Sequence, residues 1–202
     1  MSRIHSTLQR YKSKSHGSNK HFLVPFDLHG DIQTLLDTLQ CDHDFHSSKP
    51  TLILFECVQM YLTDICSFDM LQKLAKTLNN SVVAIYDPML LNDAFGRVML
   101  KNLRSLRYIR VIDEENNEKN PVLFNVRTLQ DQLNKLKKCG FSKNVMAYDM
   151  LEAYQHVLTA EHRMKANQCE MLDEFEEWSL LMKHYSFVIA SVENGIFSTL
   201  NI

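Results

Sequence analysis

Pro50-Thr-Leu-Ile-Leu-Phe-Glu-Cys-Val-Gln-Met-Tyr61 is the stretch on which the reading of this chain turns. The apolar run from Leu52 to Phe55 is short and ends in a carboxylate, Glu56, with an aromatic hydroxyl, Tyr61, five residues later. Such a run reads as a strand buried on both faces, as in parallel sheets. In open α/β sheets ligands bind just beyond the carboxyl ends of the strands, which is where Glu56 falls. A carboxylate at that place is either a capping or ion-paired residue or part of a ligand site, and the pattern alone leaves both readings open.

Working outward, His21 to Phe26 reads as a short apolar strand ending at Asp27-Leu28-His29-Gly30. A helix is predicted from Asp31 to Leu39, with Ile32, Leu35, Leu36 and Leu39 at helical spacing and Asp31 placed to cap it. Cys41 to Lys49 reads as a polar loop. Beyond the strand Thr51–Glu56, Thr63 opens a helix to about Leu78, with Phe68, Leu71, Leu74 and Leu78 inward. Ser81 to Asp87 is a further apolar strand that again closes on a carboxylate. Asp93 caps a helix through about Leu106, Asp113 to Lys119 is a charged loop, and Thr128 to Lys138 is an amphipathic helix stopped by Gly140. Phe141 to Tyr148 is strand-like, Asp149 to Val157 helical, Cys169 to His184 a long acidic helix, and Tyr185 to Ser191 a last strand. Strands alternating with helices of this length predict a parallel α/β sheet with right-handed crossovers.

The 202 residues, 45% of them hydrophobic, suffice for one well-packed domain. A net charge of −2 argues against a polyanion as the main partner. Basic residues at Arg3, Arg10, Lys12, Lys14 and Lys20 lie among Ser and His and read as a solvated, flexible segment over 1–20. No apolar run approaches the roughly 20 residues that span a bilayer, and the first residues lack the apolar core of a signal peptide. Five scattered cysteines fit free thiols in a reducing compartment, so a cytoplasmic protein is expected.

Phe26-Asp27-Leu28 and Phe55-Glu56-Cys57 place carboxylates at matched strand ends, with Asp87 at a third. In a nucleotide-type site one such carboxylate accepts from an adenine amino group, and a neighbouring one receives an ammonium or a ribose hydroxyl. Cys41, His43 and His46 have the look of metal ligands, but about four in fixed geometry are needed and no second cluster complements them. Asp173 to Glu177 is an acidic helix start, with Phe175 and Trp178 expected to turn into the core. His184-Tyr185 reads as a buried hydrogen-bonding pair. The five glycines, Gly17, Gly30, Gly96, Gly140 and Gly195, are too dispersed to form a phosphate- or adenosyl-binding loop.

Together Phe26-Asp27-Leu28, the Pro50–Val58 stretch with Tyr61, Asn92-Asp-Ala-Phe-Gly-Arg-Val-Met99, Tyr148-Asp-Met-Leu-Glu-Ala-Tyr154 and Glu170–Trp178 with His184-Tyr185 resemble the leucine carboxyl methyltransferases. The likeness covers about residues 21 to 191. It implies a class I methyltransferase (Rossmann-like) α/β sheet lacking the first two strands and the Gly-rich loop, with His21–Phe26 as its third strand and Thr51–Glu56 as its fourth. On this resemblance residues 21–202 correspond to the C-terminal two-thirds of the methyltransferase domain.

The resemblance further implies S-adenosyl-L-methionine as cofactor, with Asp27 and Leu28 at the adenine, Glu56 at the methionine end and Tyr61 by the reacting centre. The family's main member methylates the C-terminal leucine carboxylate of the protein phosphatase 2A catalytic subunit, and a sister branch acts on a wybutosine-type tRNA base. The acidic balance disfavours the tRNA branch, although Phe175-Glu-Glu-Trp178 leans toward it. With half of the cofactor pocket absent, weak binding and slow turnover are expected, and a non-catalytic domain that binds the phosphatase tail is the competing reading. Loss of the first strands also predicts an unpaired sheet edge and self-association through it.

Overall fold

The computed structural model describes residues 22–105, 111–112, 118–119, 126, 128–169 and 172–192. The segment 1–20 and the charged loop over 113–117 lie outside the described residues. The chain divides into two units, Met1–His46 and Ser47–Ile202.

In the first unit, residues 22–27 form no strand, contrary to the sequence reading. Pro25 has no N–H to give to a ladder, and Phe22 and Leu23 are about half exposed. A turn closed by the Gly30 N–H on the Asp27 carbonyl (2.8 Å) leads into helix α1, Ile32–Asp42. Asp31 caps it as expected, its Oδ1 accepting from the Gln33 N–H at 3.0 Å, and Ile32 and Leu36 are buried. The helix runs beyond Leu39 into what the sequence suggested was loop.

The second unit is built on a four-stranded sheet. Strand β1, Thr51–Glu56, pairs in parallel with β2, Ser81–Pro88, in a register from Thr51 opposite Ser81 to Glu56 opposite Tyr86. Between them runs helix α2, Asp64–Thr77, capped by Thr63, whose hydroxyl accepts from the Cys66 N–H at 3.2 Å. Its buried side carries Ser67, Met70, Leu71 and Leu74. Helix α3, Ala94–Ser105, follows β2 and is capped by Asp93, which accepts from the Gly96 N–H at 2.7 Å. A two-residue antiparallel ladder joins Val111–Ile112 to Glu118–Lys119.

Helix α4, Leu129–Cys139, opens with a reciprocal capping box between Thr128 and Asp131. It ends on Gly140 at φ +107°, directly before strand β3, Phe141–Asp149. A Cβ at Gly140 would lie 3.2 Å from that of Ala75 as well as in a backbone region that L residues avoid. Gly140→Ala is therefore expected to cost about 1–2 kcal/mol, read as a lower urea midpoint at unchanged slope.

Met150–Glu152 makes one helical turn, continued by a π turn over Ala153–Val157. Helices α5, Ala160–Cys169, and α6, Phe175–Met182, then lead to strand β4, Tyr185–Val192. The single long helix expected from Cys169 to His184 is thus replaced by α6 alone, and α5 is an element the sequence reading did not contain. Residues 172–174 between them have no regular structure.

Sheet order is β1-β2-β4-β3, with β4 antiparallel to both neighbours. The sheet is therefore mixed rather than parallel throughout. The excursion from Met150 to Met182 leaves and re-enters at one end of the sheet, so β4 runs back beside β3 without a crossover. Phe141, Leu71, Ile85, Leu136, Val83 and Val188 form the fully buried core. The run Leu52–Phe55 is buried on one face only. Phe55 is 6% exposed, but Leu52 and Leu54, which share the opposite face with Glu56, are 66% and 59% exposed. Among the described residues β1 has a neighbour on one side only, so it is an edge strand.

Candidate functional site

The carboxyl ends of β1 and β2 lie side by side because the parallel register sets Glu56 opposite Tyr86. The chain leaves β1 sharply. Cys57 adopts a left-handed backbone (φ +51°), and its N–H donates to the Tyr86 carbonyl at 2.7 Å. A 3-10 turn over Gln59–Tyr61 follows, burying Gln59 and Met60 and leaving Tyr61 43% exposed at the rim.

That turn is held from beneath. The Gln59 side-chain oxygen accepts from the Ser67 hydroxyl at 2.8 Å, and Ser67 Oγ accepts from Lys135 Nζ at 2.6 Å. Lys135 also lies 3.6 Å from Asp64. Burial pulls the Lys135 ammonium below its ordinary value, against the charges of Asp64 and Asp87. This polar chain runs from α4 through α2 to the residues that present Tyr61.

Asp87 is the unusual member of the cluster, a carboxylate only 3% exposed. The main-chain N–H groups of Gln59 and Met60 face it and lower its pKa, yet neither oxygen has a hydrogen-bond partner of good geometry among the described residues. Burial dominates and pushes its pKa up to about 7. The Cys57 thiol is raised by burial and then by the charges of Asp87 and Glu56. Tyr86 and Tyr185, stacked at 5.3 Å between centroids, are raised by burial and by the acids around them. Burial, the first cause of each of these shifts, penalises charge of either sign, and the charges of Asp87 and Glu56 act beside it to disfavour further negative charge.

Sequence reasoning placed Glu56, Tyr61 and Asp87 at this sheet edge, and the structure brings them together. It missed Cys57, Tyr86 and Tyr185, which join them through the β1–β2 register and the β2–β4 pairing. Asp27 and Leu28 belong to the other unit. There Asp27 is exposed, and its Oδ1 accepts from the His29 N–H (3.0 Å) and lies 3.1 Å from the ring Nδ1, contacts that hold the carboxyl below its usual range.

His184 is fully buried, as read from sequence, but its partner is not Tyr185. Its Nδ1 lies 2.8 Å from the Leu180 carbonyl and its Nε2 lies 3.1 Å from Asp93 Oδ1, which ties the start of α3 to the start of β4. Phe175 and Trp178 do not enter the core. Phe175 is 47% exposed, and both rings pack at the surface near Tyr154. Among the described residues no three His, Cys, Asp or Glu side chains are grouped to hold a metal, and His46 instead lies 3.4 Å from Asp44. No described helix is long and apolar enough to cross a membrane.

The fold is that of a mixed α/β protein with an acidic, partly buried corner at the carboxyl ends of β1 and β2. No family model matches the chain. It is 31% identical over 173 residues to the leucine carboxyl methyltransferase 1 homolog of Arabidopsis thaliana, covering 86% of this chain and 48% of that one. It is 31% identical over 179 residues to a probable leucine carboxyl methyltransferase 1 of Caenorhabditis briggsae, covering 88% and 49%. A third relative is the tRNA wybutosine-synthesizing protein 4 of Rattus norvegicus, 30% identical over 155 residues, 75% of this chain and 20% of that one. The chain is thus related to the leucine carboxyl methyltransferase family and spans about half the length of the first two relatives.

Proposed function

We propose that this chain carries part of an S-adenosyl-L-methionine site and serves methyl transfer to a carboxylate, the C-terminal leucine of the protein phosphatase 2A catalytic subunit being the acceptor. The observation that carries the reading is the buried Asp87 carboxylate, neither of whose oxygens has a hydrogen-bond partner of good geometry among the described residues, set beside Cys57, Tyr86 and Tyr185 and the exposed Glu56 at the carboxyl ends of β1 and β2. The names of the relatives point the same way. We read the sheet as the later half of a class I methyltransferase sheet, its three parallel strands joined by one reversed strand.

Bound there, the cofactor supplies a methyl group on a positively charged sulfur. Glu56 and Asp87 favour that charge electrostatically. The Tyr61 hydroxyl, at the rim on a turn anchored by Gln59, Ser67 and Lys135, donates a hydrogen bond to one oxygen of the acceptor and orients it. A carboxylate is already ionised near neutral pH, so no general base is required.

Calorimetry with S-adenosyl-L-methionine and with its neutral thioether product tests the reading. The sulfonium is expected to bind about tenfold more tightly, the size of one modest charge interaction, and Glu56→Gln is expected to narrow the difference. Equal affinities, or no heat at millimolar cofactor, would sink it. Methyl transfer to a phosphatase tail peptide and to tRNA, measured side by side, decides the acceptor, for which the wybutosine-synthesizing relative supplies the second reading.

A further inference from the structure

The excursion between β3 and β4 carries a surface that the proposed methyl-transfer site does not use. The Tyr154 ring meets Trp178 edge-on at 4.9 Å, and Phe175 lies 5.5 Å from the same indole. Phe175, Trp178 and Leu181 recur every three residues and so share one side of α6, a helix with no buried residue. Helix α5 likewise buries nothing, and its Met164 is 57% exposed.

This surface is a built one. Arg163 of α5 sits 5.8 Å over the Tyr154 ring. Its Nη1 donates to the carbonyls of Tyr154 (3.0 Å), Gln155 (3.2 Å) and Leu158. A helix with no apolar face of its own is thereby fixed to the π turn, and the turn in turn sets Tyr154 against Trp178.

Apart from the Arg163 guanidinium over Tyr154, the charge that α6 itself brings to these rings is negative. Asp173, Glu174, Glu176 and Glu177 flank Phe175 in the chain, and no Lys, Arg or His occurs from Leu172 to Met182, Lys183 following at the end of the helix. None of the four carboxylates has an ion-pair partner among the described residues.

We propose that this face docks a partner protein through an amphipathic segment bearing leucine-type side chains and lysines or arginines. The half-exposed Phe175, backed by the partly buried Trp178, supplies the apolar anchor, as at protein interfaces generally. The four carboxylates select a cationic rim and speed its approach. The same charge repels a polyanion. A second copy docked face to face would set the carboxylates against each other. The inference stands whether or not the acidic corner of the sheet transfers a methyl group.

Trp178 is the only tryptophan, so its emission reports on this face alone. The full chain is titrated with two synthetic helical peptides of equal leucine content, one carrying lysines and one glutamates at the same positions. The lysine peptide is expected to shift the emission to the blue and to bind about tenfold more tightly than the glutamate peptide, with affinity falling as salt rises. Phe175→Ser, at a half-exposed position, is expected to weaken that binding about tenfold, since aromatic anchors dominate such contacts, with the melting temperature within a few degrees of the parent's. Should Phe175→Ser fail to fold, Leu181→Ser gives the same readout. Equal response to both peptides, no response to either, a stronger response to tRNA, or a concentration-dependent shift without peptide would each overturn the proposal.

Discussion

Asp87→Asn is expected to stabilise the protein at pH 8 by up to about 4 kcal/mol. The folded-state pKa is about 7 against an ordinary 3.8, a gap of roughly three units at about 1.4 kcal/mol each. The sign follows from which state holds the proton. Between those two values the fold binds more protons than the unfolded chain. This group's contribution is therefore neutral below pH 4, becomes increasingly destabilising toward pH 7, and is constant above it. Asn keeps an oxygen for the Gln59 and Met60 N–H groups and has the shape of the protonated acid, so it removes the slope as well as the penalty. Urea unfolding of parent and variant at pH 4.5 and pH 8 checks this, the variant's advantage being small at the lower pH and large at the higher. A gap independent of pH would refute the assignment. If the corner receives a cation, the variant also loses cation affinity, the exchange of stability for function common at binding sites.

Phe141→Ala is expected to cost about 3–5 kcal/mol, the range for emptying a fully buried aromatic site. The ring is completely buried, one residue after the left-handed Gly140 that stops α4, and its backbone pairs with Val192 of β4. Little of the surroundings can collapse into the void, because helix and sheet are joined there by a single residue. At about 2–4 °C per kcal/mol for a chain of this size, the melting temperature should fall by roughly 10 °C. A drop of only a degree or two, in a scan where the transition stays cooperative, would place the ring elsewhere than in the core.

What could be read in the sequence was what short-range chemistry decides. Asp31, Thr63, Asp93 and Gly140 each cap or stop a helix as their residue types require, because the groups they satisfy lie within three or four residues. The strands of the sheet were legible as apolar runs, but their direction was not. Tyr185–Val192 looks the same running either way, and its reversal follows from where the preceding excursion re-enters. Leu52 and Leu54 looked buried because an apolar run does not say whether anything covers its second face. The run before Asp27 looked like a strand, and Pro25 was the signal against it. In the acidic corner the carboxylates were visible as strand endings. Cys57, Tyr86 and Tyr185 were not, since they meet only through pairings between residues far apart in the chain.

The distance along the chain also sets an order of events. The Ser186 hydroxyl donates to the Asp87 carbonyl across 99 positions, and His184 reaches Asp93 across 91. Strand β4 is the shared neighbour of β2 and β3, so neither of those strands has its inner partner until residues 185–192 have been made. A ribosome adding residues at about 5–20 per second would therefore expose two apolar strands for several seconds before their common partner emerges. The acidic corner is then among the last parts of the molecule to form, and a chaperone that shields β2 during that interval would act on the proposed ligand site before the site exists.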